Sequence, residues 1–157
     1  MSHIRRFDHV GITVADLDRV TAFFVGLGLE VDGRTFVEGE FVDTVIGIPG
    51  SRSHIVTLRP PGGGPGLELS SFVEPEHQPG SPTAMANELG LRNVSFEVDD
   101  LQATVDQLAA DGYGLVGGIG QTAPPVDLER QPAAVGGPHD QRRCLLVQGF
   151  LVQRFLV

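Results

Sequence analysis

The sequence predicts an α+β fold made of two tandem βαβββ modules, and three observations carry that prediction. The first is an internal repeat. His9-Val-Gly-Ile-Thr-Val14-Ala-Asp16-Leu17 and Asn93-Val-Ser-Phe-Glu-Val98-Asp-Asp100-Leu101 are the same strand-to-helix opening, with His9 and Asn93 offset by 84 residues. The second is that each half passes from helical spacing to runs of strand character punctuated by glycine and proline. The third is a polar residue of metal-ligand type at the head of each opening strand. Whatever the first copy places in a shared cleft, the second should place opposite. His9 is matched there by Asn93, a much poorer ligand.

In the first half, Phe7 to Val14 alternates as a strand with one buried face. Asp16 is an N-cap for a helix whose Leu17, Val20, Phe23 and Phe24 share a face and which Gly26 and Gly28 end. A strand from Leu29 to Val37 follows, with Asp32-Gly33 as a bend within it, then a short helix or loop segment from Phe41 to Ile48. His54 to Arg59 and Gly66 to Val73 read as two strands. The proline- and glycine-rich loop between them lacks the lysine and following helix of a phosphate-binding loop, so it reads as a hairpin connection. Glu74 to Ser81 is a linker with a helical turn expected at Thr83 to Leu89.

In the second half, Asn93 to Val98 is a strand, and Asp100 caps a helix carrying Leu101, Val105 and Leu108 that ends at Asp111-Gly112. Tyr113 to Val116 reads as a strand. From Gln121 to Gln141 periodicity disappears into a long loop, which is expected to be the least ordered part of the chain and a lid if it moves. The segment from Arg143 onward reads as two strands about Gln148-Gly149.

A chain of 157 residues suits one domain, 1–157, with module one at 5–75 and module two at 90–157. The 41% hydrophobic and 20% charged content is that of a globular protein rather than a disordered one. Cys144 is the single cysteine, which excludes a disulfide framework within the chain and suits a reducing cytoplasm. The N-terminus lacks the apolar run of a signal peptide, and no segment reaches the roughly 18 apolar residues of a membrane span. A net charge of −9 argues against nucleic acid as a partner.

His9-Val-Gly-Ile-Thr-Val-Ala-Asp-Leu-Asp, Gly66-Leu-Glu-Leu69 and Val94-Ser-Phe-Glu-Val-Asp-Asp-Leu101, in that order and spacing, resemble the vicinal oxygen chelate superfamily over about residues 5 to 120. That group includes glyoxalase I, the bleomycin-resistance proteins and the extradiol dioxygenases. The resemblance implies that the two modules face each other as a cupped mixed sheet, and that the chain is a homodimer acting on a small molecule in the cup. In catalytic members one divalent metal (zinc, nickel, manganese or iron) is held by one residue from the first and one from the fourth strand of each module. His9 and Glu68 match the first module's positions, with Glu68 the candidate catalytic residue. The second module departs from the pattern: Asn93 stands where histidine is usual, and Gln153 where glutamate is expected, 85 residues after Glu68. Amide oxygens are weak ligands for these ions.

Two readings follow from the resemblance. One is a metal-dependent lyase or isomerase of the glyoxalase type with a degenerate metal site. The other is a metal-free binder that sequesters a drug or metabolite, which the missing second-module ligands favour. A ring-cleaving dioxygenase fits least, since its iron needs two histidines and only one is placed. Among the remaining residues, His54 or Arg59 on the third strand is a rim candidate, and His77 reads as solvent-exposed. Phe23, Phe24, Leu101 and Leu108 read as core, and Phe36, Phe41, Phe72 and Phe96 as a pocket wall. His3, near the terminus, and His139, in the long loop, have little claim on a metal, and Cys144 reads as a small buried hydrophobe with no identifiable base or partner.

Overall fold

Asp16 and Asp100 each stop an extended run and start a helix. In the computed structural model, which describes residues 3, 5–80, 89–91, 93–115, 119 and 143–148, both adopt β-region dihedrals. The Asp16 carboxylate accepts from the Arg19 N–H at 2.9 Å, and Asp100 from the Ala103 N–H at 3.0 Å. These bonds satisfy donors that the first helical turn leaves orphaned. The order is β1 (His9–Thr13), α1 (Leu17–Gly26), β2 (Glu30–Glu38), α2 (Glu40–Ile46), β3 (Arg52–Arg59), β4 (Gly66–Glu74), β5 (Asn93–Val98), α3 (Leu101–Ala110) and β6 (Arg143–Gln148). Gly28, at φ +99, occupies a left-handed conformation just past α1 that a larger residue would strain to adopt.

The first half is the expected βαβββ unit with α2 set between its second and third strands. Its sheet runs β1-β4-β3-β2; β1 and β4 are parallel and the other neighbours antiparallel. The ladder between β2 and β3 shifts register between Val31 and Gly33, where the sequence marks a bend. Alternation gives the sheet two unlike faces. Ile12 and Val14, Val56 and Leu58, and Leu67 and Leu69 are buried beneath α1, which inserts Val20, Phe23 and Phe24. His9, Gly11 and Thr13 on β1, with Glu68 and Ser70 on β4 and Thr57 on β3, occupy the other face, which no described element covers.

The second half joins the same core. Leu108 of α3 is buried within it, Val94, Phe96 and Val98 pack against it, and the rings of Phe96 and Phe24 lie 6.2 Å apart. Its strand pairing differs from the first half. β5 runs antiparallel to β6, with Asn93 opposite Gln148, whereas β1 runs parallel to its partner. Tyr113 to Leu115 form no strand, contrary to the sequence reading. The Tyr113 N–H instead closes the end of α3 by donating to the Leu108 carbonyl at 2.8 Å, and its ring meets Phe23 edge-on at 4.9 Å. The expected turn at 83–88, the loop from Gln121 to Gln141, and Gln153 with the strand after Gly149 lie outside the described residues.

One carboxylate fixes the approach to β3. Asp43 of α2 accepts from the Gly50 N–H at 2.7 Å, and from the Ser51 N–H and hydroxyl, both at 2.9 Å. These bonds, the Gly50 amide foremost, hold its pKa below the ordinary 3.8. A folded-state value below the unfolded one adds stability above the unfolded value, and this is lost as pH falls through the folded value. The parent should therefore lose stability below about pH 4, and Asp43→Ala should start lower at neutral pH and show a shallower fall. Urea midpoints across that range measure this; parallel curves for the two proteins would refute it.

Candidate functional site

The face of the first sheet that no described element covers brings His9 and Glu68 together. Parallel pairing sets His9 opposite Gly66, which brings Glu68, two residues along β4, within reach of the imidazole. His9 Nε2 lies 3.8 Å from Glu68 Oε2, with side chains 42% and 31% exposed, so both are open to an incoming molecule. Glu68 is flanked in register by Gly11 and Thr57. A Cβ built on Gly11 meets nothing within 4 Å, so the sheet floor is open beside the carboxylate. Further along the same face, the hydroxyls of Thr13 and Ser70 are 3.4 Å apart.

Charge is organised around the other side of His9. Asp8 Oδ2 sits 3.0 Å from His9 Nδ1, while Arg6 Nη2 donates to Asp8 Oδ1 at 2.7 Å. The hydrogen bond with His9, helped by the positive charges of Arg6 and Arg59, lowers the Asp8 pKa. Arg59 donates to Asp32 at 2.8 Å, and that bond raises its own pKa. Sequence reasoning passed over Asp8. The available signal was the acid immediately before the histidine, with a base two residues earlier in Arg6-Phe-Asp-His9.

The other candidates fall elsewhere. His54 lies on the helix-bearing face with its ring 4.8 Å from Phe36, and the two help line a concavity of about 470 Å3 with Leu17, Arg34, Val56 and Ser71. That concavity contains neither His9 nor Glu68, and its arginine is paired with Asp18 at 3.1 Å. We place the candidate site at His9 and Glu68, because two ionisable groups of suitable chemistry converge there. His77 is half-buried and its Nε2 accepts from the Phe72 N–H at 3.2 Å, so it is a structural residue rather than an exposed one. Phe96 is held by the core, and Phe41 is 84% exposed, so neither walls the site. Asn93 is exposed at the head of β5. No described strand runs parallel to β5, so the register that brings Glu68 to His9 has no counterpart among the described residues.

Among the described residues, no three or more histidine, cysteine, aspartate or glutamate side chains form a group able to hold a metal ion. His9 and Glu68 supply two donors, one fewer than the three protein ligands of a catalytic zinc site. This half-set does not by itself fit a resident divalent metal. No described helix is long and apolar enough to cross a membrane.

Comparison with known proteins gives three findings. The family model of the glyoxalase/bleomycin resistance protein/dioxygenase superfamily matches residues 8–127. The crystal structure of a glyoxalase family protein from Bacillus cereus is similar, at 33% identity and a TM-score of 0.71, over 77% of this chain and 81% of that one. The crystal structure of SMU.1112c aligns over 71% of this chain and 77% of its own, at 22% identity and a TM-score of 0.48. No curated protein matches.

Proposed function

We propose that this chain, which belongs to the glyoxalase/bleomycin resistance protein/dioxygenase superfamily, binds a small molecule on the open face of its first sheet, anchored by His9 and Glu68. The observation that carries this reading is the 3.8 Å approach of His9 Nε2 to Glu68 Oε2, both partly exposed, on a face that no described element covers. A part-buried carboxylate and an imidazole side by side give a ligand polar anchors, and the bare floor at Gly11 gives it room. The pair also has the chemistry to pass a proton to and from a bound molecule, since imidazole and carboxylate are the common general acids and bases.

A second reading, a metal-dependent lyase or isomerase of the glyoxalase type, has one observation in its favour. The two converging residues match the positions that hold the metal in the first module of catalytic relatives, as the resemblance implies. It requires further donors from residues beyond those described.

Thermal shift separates the two. The parent should be stabilised by members of a small-metabolite panel in chelator-treated buffer, and hardly at all by zinc, nickel or manganese alone. Glu68→Ala should weaken the best binder by about tenfold or more, the loss typical of removing a charged hydrogen-bond partner, and His9→Ala, which removes a neutral one, by about threefold to tenfold. If no compound shifts the parent, or the variants bind equally well, the binding reading fails. Stoichiometric zinc with strong stabilisation would replace it with the metal reading.

A further inference from the structure

The two oxygens of Asp8 are engaged by different partners: Arg6 Nη2 donates to Oδ1 at 2.7 Å, and Oδ2 faces His9 Nδ1 at 3.0 Å. Arg59 adds positive charge beside it and is itself held by Asp32 at 2.8 Å and by the Gly64 carbonyl at 3.4 Å. An ionised carboxylate has no proton to donate, so the nitrogen 3.0 Å from it must carry one. In a neutral imidazole the other nitrogen is then bare. That other nitrogen, Nε2, is the one that points towards Glu68. A lone pair and a carboxylate oxygen 3.8 Å apart are two acceptors side by side, which leaves a place for donors and repels anions.

We infer that Asp8 is a positioning residue that holds His9 in its Nδ1–H tautomer, so that His9 Nε2 and Glu68 form a two-acceptor mouth for ligands bringing N–H or O–H donors. This deepens the reading of His9 and Glu68 as the ligand-contacting pair. It names a chemical class, neutral or cationic donor groups such as amines and hydroxyls, and excludes carboxylates and phosphates at this point. The role of Asp8 reaches the ligand only through the imidazole.

Long-range proton–nitrogen correlation NMR reads the tautomer directly on the chelator-treated, ligand-free full chain at about pH 9, where imidazole is neutral. The His9 signals are assigned by their loss in His9→Gln. The parent should show the Nδ1–H pattern. Asp8→Ala, a change at a half-buried side chain, should move it towards the Nε2–H form that free imidazole favours, and Glu68→Ala should leave Nδ1 protonated. An Nε2–H pattern in the parent, or no change in Asp8→Ala, overturns the positioning role. Titrating the parent's His9 signal with ethylammonium and with acetate tests the mouth. Ethylammonium should move it and acetate should not; movement by acetate, or by neither, overturns the two-acceptor assignment. The tautomer is read without ligand, so its failure is distinct from failure of the binding reading, which the thermal-shift panel decides.

Discussion

Replacing Phe24 with alanine should destabilise the fold by about 3–5 kcal/mol, the range for deleting a buried phenylalanine ring. In a chain of this length that corresponds to a fall in Tm of roughly 10 °C. Phe24 is fully buried, contacts Phe23 edge-on at 5.1 Å, and faces Phe96 of the second half at 6.2 Å. The ring therefore sits in a core that described residues of both halves share. Its loss should lower a single unfolding transition rather than detach one half. Phe41→Ala is the control, because that ring is 84% exposed on α2 and its removal should change stability by no more than about 0.5 kcal/mol. Calorimetry on the two variants decides the matter: equal shifts would contradict the burial pattern, and two separate transitions in Phe24→Ala would contradict a shared core.

The helices were legible in the sequence because their signals are local. An aspartate cap, an apolar stripe at Val20, Phe23 and Phe24, and a glycine stop lie within a dozen residues, and all form as read. The third strand was equally legible: the run read from His54 to Arg59 lies within β3. Which face α1 covers was not, because that depends on where the helix lands. The meeting of His9 and Glu68 joins residues far apart in the chain and requires a parallel register between β1 and β4. Only the repeat and the family resemblance pointed to it. Tyr113 shows the opposite case, where local strand character loses to a helix-terminating hydrogen bond and an aromatic contact. The antiparallel pairing of β5 had no local signal either, since the opening of the second half repeats that of the first.

Gly66→Ala should both destabilise the fold and disturb the site, whereas Gly11→Ala should do neither. Gly66 heads β4 directly opposite His9, and its N–H donates to the Asp8 carbonyl at 2.9 Å. An added Cβ there would lie 2.4 Å from the Leu58 carbonyl oxygen and 3.4 Å from Arg59 Cγ. The first contact is with backbone in the adjoining strand and cannot be relieved by a rotamer change, so β3 and β4 must move apart at their ends. Overpacking of this kind costs about 1–3 kcal/mol, and a backbone clash lies at the upper end. The displaced segment carries the register that sets the 3.8 Å gap between His9 and Glu68, so ligand affinity should fall along with stability. Gly11 is two residues further along β1, opposite Glu68 on the face that no described element covers, with nothing within 4 Å of an added Cβ. Alanine there should be neutral or stabilising by about 0.4–1 kcal/mol, since it restricts the unfolded chain. A larger side chain, as in Gly11→Leu, should leave the melting temperature nearly unchanged while filling the floor beside Glu68 and blocking the ligand. Melting temperatures and binder affinities for the three variants separate the two effects. If Gly66→Ala folds as stably as the parent, the β3–β4 approach is looser than its geometry states. If Gly11→Leu binds as well as the parent, the ligand does not lie on this face.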